Sequence, residues 1–157
     1  MKVVIQRVKN ASVSVNQKDV GQINQGYLLL VGFDQGDSVE LLQPMLSKIC
    51  QLKLFPDQKG RFAHSILEVA GELLIVSQFT LSAELKKGKK PSFTRAMDPG
   101  EAERLYDEFI ELSRQKGISV QTGLFGEMML VSLQNDGPVT ILMDSRELFP
   151  ALSRSSS

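Results

Sequence analysis

Residues 134–140 read Gln134-Asn135-Asp136-Gly137-Pro138-Val139-Thr140, and they interrupt two apolar runs at 128–133 and 139–143. Asn135-Asp136-Gly137 is turn chemistry and is expected to join two strands. Pro138 adds what a plain hairpin does not need: it removes a backbone donor and fixes its own φ. The residue before it is Gly137, which tolerates conformations closed to other residues. A cis peptide at such a pair costs only roughly 0.5–1 kcal/mol against trans. Two readings follow. The segment is a tight turn, or it is a rigid, side-chain-poor backbone wall against which something small is measured.

The rest of the chain is set around this segment. At 157 residues it is expected to be one domain, 1–150, with a polar tail at 151–157. Lysine plus arginine balances aspartate plus glutamate at 18 each, so a polyanion site has to come from local clustering. The single cysteine, Cys50, lies among leucines and isoleucines and fits a buried thiol in a reducing compartment. No signal peptide and no membrane-spanning run is read, and the expected location is the cytoplasm.

Residues 3–8 and 11–15 are β-rich, and 17–19 are expected to turn into a strand at 20–23. The run Y-L-L-L-V-G-F at 27–33 has strand length and is apolar throughout, which marks a strand buried on both faces. Asp37 and Glu40 have capping-box spacing, and Leu42, Met45, Leu46 and Ile49 recur at helical spacing. The only histidine, His64, sits in a loop-like stretch without metal-ligand spacing around it, so no metal site is expected.

E-L-L-I-V-S-Q-F-T-L at 72–81 reads as one strand. Period two puts Leu73, Ile75, Ser77, Phe79 and Leu81 on a core face. Gln78 and Thr80 share the other, either as exposed strand residues or as the rim of a pocket. Lys86, Lys87, Lys89 and Lys90, with Arg95, form the one dense basic cluster, either a solvated loop or a clamp on phosphates beside Phe93. Asp98-Pro99 opens the clearest helix, with an inward stripe of Ala102, Leu105, Tyr106, Phe109, Ile110 and Ser113 and a stop at Gly117. A short strand at 118–122 precedes the two apolar runs. The first of these, 128–133, is apolar on both faces, as at a sheet centre or a subunit interface. No Ser-His-Asp order, P-loop or dinucleotide fingerprint is present. These residues alone support an α+β domain with a polar site between the Thr80 strand end, the basic loop and the Gly137-Pro138 segment.

S-Q-F-T-L at 77–81 together with N-D-G-P-V-T at 135–140 resembles the D-aminoacyl-tRNA deacylases, also called D-tyrosyl-tRNA(Tyr) deacylases. Gln6-Arg7-Val8, Ala11-Ser12-Val13, the stretch 26–32, K-K-P-S-F at 89–93, and Phe125-Gly126 with Met129 extend the resemblance over nearly the whole chain. One departure is visible: the family often has asparagine about where Ala63 stands.

The resemblance implies a homodimer, each copy a mixed, barrel-like β-sheet with two outer helices. It implies active sites at the dimer interface, with a cis Gly137-Pro138 of one subunit entering the pocket of the other as a chirality filter. It further implies that Ser77, Met129 and Phe125 line that pocket, that the substrate is D-aminoacyl-tRNA, with mischarged glycyl-tRNA as a second substrate, and that no cofactor is needed. Ester hydrolysis passes through an oxyanion, and backbone N–H groups near Phe79 and Thr80 are the candidates to hold it. Thr80 is either a nucleophile, for which no base is evident, or a positioning residue acting with Gln78 while the ribose 2′-hydroxyl assists. The readings from other classes are a non-catalytic RNA-binding dimer and a hydrolase of another small acyl ester.

Overall fold

The computed structural model describes residues 1–86 and 88–153. Among the described residues eight strands and three helices follow one another. They are β1 (Lys2–Val15), β2 (Lys18–Ile23), β3 (Gly26–Gly32), α1 (Leu42–Gln51), β4 (Phe55–Pro56) and β5 (Phe62–His64). After these come β6 (Glu72–Ser77), α2 (Pro99–Gln115), β7 (Ser119–Thr122), β8 (Leu130–Asp144) and the short α3 (Ser145–Leu148). One mixed sheet runs β2-β1-β3-β6-β7, with β8 on the other side of β1. The β3–β6 and β6–β7 pairs are parallel, and the rest of this sheet is antiparallel.

The sheet curls because β1 and β8 are bent together. Along β1 the register with β8 slips between Val8 and Asn10, where β1 carries one extra residue. Between Thr140 and Asn135, opposite Gln6 and Val8, β8 carries three extra. An odd insertion turns every later side chain to the other face. Val3 and Ile5 therefore join the core under the helices, while Ala11 and Val13 join a second core inside the curl. Val139, Ile141 and Met143 of β8 go with the first, and Val131 and Leu133 with the second. Both strands flip together, so pairing survives on either side. The curl brings β2 across β7, so close that a Cβ on Gly21 would stand 2.7 Å from the Thr122 carbonyl oxygen.

β6 shows both faces of this arrangement. Leu73 and Ile75 face the helices, and Leu74 and Val76 face the barrel interior, all of them buried. The long run of β3 is buried on both faces, as its composition requires. α1 presents Leu42, Met45, Leu46, Ile49 and Cys50 to the core, and α2 presents Leu105, Tyr106, Phe109, Ile110 and Ser113. Asp98 accepts from the Gly100 N–H at 3.0 Å and caps α2. The mixed, barrel-like sheet with two principal outer helices is the architecture the sequence led us to expect.

Several local expectations are corrected. Asp37 does not cap a helix. It accepts from the Asp34 N–H at 2.7 Å and pairs with the N-terminal amine, while residues 39–41 form a 3-10 turn before α1. Pro44 sits in the first turn of α1, where a missing N–H is harmless. The first hairpin turns at Asn16 and Gln17, both with positive φ, one residue earlier than expected. The largest correction concerns residues 134–140. They do not reverse the chain, because β8 continues through them as one strand paired with β1. The turn chemistry makes an outward excursion in the strand instead of a hairpin.

Candidate active site

The excursion is held from three sides. Asn135 folds its side chain across it, donating from Nδ2 to the Val139 carbonyl at 3.2 Å and to Thr140 Oγ1 at 2.9 Å, and accepting the Val139 N–H at 2.7 Å. These bonds stand in for ladder bonds that the bulge and Pro138 remove. Arg7 holds the excursion from below. It is 6% exposed, donates from Nε to the Asp136 carbonyl at 2.8 Å, and donates from Nη1 to the Leu54 carbonyl at 2.5 Å. The Gly137-Pro138 peptide is cis, and both residues are exposed. Gly137 has φ 143°, a region that favours glycine, and a Cβ there would stand 2.9 Å from the Val139 nitrogen. The result is an exposed piece of backbone with almost no side chain, fixed by a buried guanidinium.

The second group lies at the C-terminal end of β6. That strand stops at Ser77, and residues Phe79–Ser82 form a 3-10 turn, so the expected strand does not reach Leu81. The break has a consequence for Phe79. Expected on the core face, it is instead 60% exposed and packs edge-on against Phe93 with ring centroids 5.0 Å apart. Gln78 and Thr80 still meet, because Gln78 Nε2 donates to Thr80 Oγ1 across the turn. The Gln78 N–H reaches back to the Val31 carbonyl at 2.7 Å and the Leu81 N–H bonds the Gln78 carbonyl at 3.3 Å. The N–H groups of Phe79 and Thr80 come first in the turn, where no intrahelical acceptor exists, and neither bonds main chain outside it. Two donors are left at an exposed tip.

Phe125 and Met129 stand near the same strand end. Phe125 packs on Tyr106 at 5.7 Å, and the Tyr106 hydroxyl donates to the Ile75 carbonyl at 2.7 Å. Met129 lies against Gly123, whose N–H bonds the same carbonyl at 3.1 Å. Burial pushes the Tyr106 phenol far above its ordinary range, so it stays a neutral donor.

The basic stretch forms the tip of a small hairpin closed by the Glu84–Ser92 pair, with N–H to carbonyl distances of 2.8 and 3.0 Å. Lys86, Lys89 and Lys90 are exposed there, and the hairpin leads into Phe93 beside the turn. Lys87 lies outside the described residues. His64 is exposed on β5, paired with Phe55 in a separate two-stranded sheet. Cys50 is buried, and desolvation raises its thiol pKa, which leaves it a poor nucleophile. Among the described residues no three His, Cys, Asp or Glu side chains gather as metal ligands would.

The wall and the turn do not meet within one chain. Lys2 donates to the Leu81 carbonyl at 3.0 Å, whereas Arg7 holds the wall. Five residues of extended β1 separate those two anchors, roughly 16 Å. Ser77, Gln78, Phe79 and Thr80 thus lie together at the end of β6, with Phe125 and Met129 nearby, whereas Gly137 and Pro138 lie on β8 at the Arg7 end of β1. Sequence reasoning gave Arg7 no role of its own, because its two acceptors lie 47 and 129 residues away.

The family model and the curated relatives name the same family. A family model described as D-Tyr-tRNA(Tyr) deacylase matches residues 4–144. The chain is 47% identical over 148 residues to the D-aminoacyl-tRNA deacylase of Aquifex aeolicus, covering 94% of this chain and 100% of that one. It is 49% identical over 152 residues to the D-aminoacyl-tRNA deacylase of a Picosynechococcus species, covering 96% and 100%. Among solved structures it is similar to a c-Myc DNA unwinding element binding protein, with TM-score 0.86, 40% identity, and 92% and 99% of the two chains covered. A probable eukaryotic D-amino acid tRNA deacylase shares the fold at TM-score 0.81 and 19% identity, over 91% and 98% of the chains.

Proposed function

The chain belongs to the D-Tyr-tRNA(Tyr) deacylase family, and from that premise we propose how its two separated groups act together. The protein is a D-aminoacyl-tRNA deacylase: it hydrolyses the ester bond of D-aminoacyl-tRNA, releases the free D-amino acid and tRNA, and so proofreads chirality in translation. In our reading it also clears glycine from tRNA, because glycine has no side chain for the wall to exclude. Its place of work is the cytoplasm, where aminoacyl-tRNA is made; no described helix is long and apolar enough to cross a membrane.

The observation that carries the mechanism is the separation of wall and turn. We assign the working site to two copies of the chain, with the Gly137-Pro138 wall of one facing the Phe79–Ser82 turn of the other. A homodimer of this kind is further favoured by the apolar surface that β8 and the residues before it leave open. Met128, Leu130 and Leu142 are 89%, 69% and 65% exposed, and the first two belong to the run 128–133, whose two apolar faces suit a sheet centre or a subunit interface.

The free N–H groups of Phe79 and Thr80 receive the oxyanion as water attacks the ester carbonyl. Gln78 and Thr80 orient the ester. Gln78 Nε2 donates to Thr80 Oγ1, and no described side chain stands as a base on the Thr80 O–H, which favours the positioning role over the nucleophile. The wall excludes an L side chain by backbone sterics, a stiffer gauge than a side chain that can change rotamer. Lys86, Lys89 and Lys90, together with Lys87, hold tRNA phosphates. The test is release of amino acid from D-Tyr-tRNA and L-Tyr-tRNA side by side. Loss of D with L untouched is expected. Equal loss of both would make the protein a general esterase, and binding without turnover a non-catalytic module.

A further inference from the structure

Asp34 follows β3 and is 2% exposed, yet it carries more charged partners than any other described carboxylate. Its Oδ2 faces Arg95 at 2.9 Å, Arg146 at 3.0 Å and Lys2 at 3.7 Å. Its Oδ1 accepts a short hydrogen bond from Ser82 Oγ, and Ser82 is the last residue of the Phe79–Ser82 turn and is itself 2% exposed. Lys2, one of the three cations, donates to the Leu81 carbonyl at 3.0 Å. Two of the four turn residues are therefore tied to one buried anion, directly or through one cation.

The same anion fixes the segment that packs on the turn. Asp34 and Ala96 form a β-bridge, the Gln35 N–H bonds the Arg95 carbonyl at 2.8 Å, and the Met97 N–H bonds the Phe33 carbonyl at 3.0 Å. This pairing delivers Phe93 to Phe79.

We propose that Asp34 is a positioning residue for deacylation, acting through Ser82 and Lys2 to fix the Phe79–Thr80 N–H groups. The inference rests on the reading of that turn as the oxyanion site. A buried carboxylate with several fixed donors is a rigid post, because removing any one partner leaves charge unpaired in a low dielectric. Thr80 itself is exposed and is held only within the turn, by Gln78 and the Ala83 N–H, so the placement of the whole turn depends on what grips its ends.

The test uses the full-length protein with D-Tyr-tRNA. Asp34→Asn, Ser82→Ala and the double variant are compared for kcat, KM and melting temperature, with rates taken well below the melting points. If Asp34 positions the turn, Asp34→Asn lowers kcat about tenfold and Ser82→Ala several-fold. KM changes less than twofold, because the tRNA contacts are elsewhere. The double variant is then no worse than the Asp34 single variant, since both act along one path. Should Asp34→Asn fail to fold, Ser82→Ala cuts the same tie from the other end. Variants that melt earlier but keep the unmutated kcat overturn the proposal and leave a purely structural ion cluster. An unmutated chain that leaves D-Tyr-tRNA intact is a different failure: it sinks the parent reading, and this inference with it.

Discussion

The wall and the turn are both exposed pieces of backbone, but they are built in opposite ways. The wall has few side chains and is gripped at its base by Arg7 and across its mouth by Asn135. The turn carries Phe79 and Thr80 into the open and is hydrogen-bonded to the rest of the chain at its ends, through Val31 before it and through Asp34 and Lys2 at Ser82 and Leu81. In the proposed mechanism the wall gauges handedness; a gauge has to resist a side chain pushing against it, and the wall is fixed where it would be touched. An oxyanion site has to leave its donors unbonded until substrate arrives, and so it is fixed beside them. Rigidity sits in the contact surface in one case and in the frame in the other.

Removing a turn donor should have the largest effect. Phe79 is the first residue of the 3-10 turn, and the residue before it, Gln78, is extended at φ −145° and ψ 82°. Proline suits a first helical position and deletes one N–H. Phe79→Pro is expected to lower kcat by about 10²–10³ with the fold retained, read by single-turnover deacylation and circular dichroism.

The wall should fail differently. In Gly137→Ala the new Cβ meets the Val139 nitrogen and Cγ2 at a φ that side chains avoid, a strain of about 1–3 kcal/mol. The ratio of D to L turnover should fall by roughly tenfold or more, since each 1.4 kcal/mol is a factor of ten. A variant that loses D turnover and keeps full discrimination would show that the wall is not the gauge.

Legibility from the sequence followed the range of the cause. β3 and α2 were readable because their apolar spacing is local and nothing distant opposes it. The barrel-like sheet and two principal helices came through family resemblance and agree with the structure. Asn135-Asp136-Gly137 misled because turn chemistry is local, whereas β1 pairs with β8 on both sides of it and carries the strand straight on. The stop of β6 at Ser77 was invisible for a similar reason: S-Q-F-T-L keeps strand composition, and the turn is set by Val31 and Asp34 on other elements. Arg7 and Asp34 could not be found by pattern at all, because their partners are scattered through the chain.

Smaller effects sharpen the contrast. Replacing Lys86, Lys89 and Lys90 by alanine should weaken tRNA binding and make its salt dependence shallower, by about 0.7–0.9 in log–log slope for each phosphate no longer neutralised. An unchanged slope would return this hairpin tip to the status of a solvated loop. If Thr80 orients rather than attacks, Thr80→Ala should keep the rate within a few-fold. A dead enzyme that still binds substrate would restore the nucleophile.

The least effect is expected away from both groups. Glu68 is held at about 2 by hydrogen bonds from the Lys53 ammonium and from Ser65. A lowered folded-state value gives stability that is present above the ordinary carboxylate range and lost as pH falls toward 2. Glu68→Gln should therefore flatten acid unfolding slightly and leave deacylation at neutral pH unchanged.

The claim that two copies build one site is tested most directly by mixing two variants. Gly137→Ala carries a sound turn and a spoiled wall, and Phe79→Pro carries a sound wall and a spoiled turn. When subunits exchange freely, half of the dimers are mixed and each has one intact site, so roughly a quarter of the original selective D-Tyr-tRNA deacylation should return. A mixture no better than the average of the two variants measured separately would contradict the account and place wall and turn in the same chain.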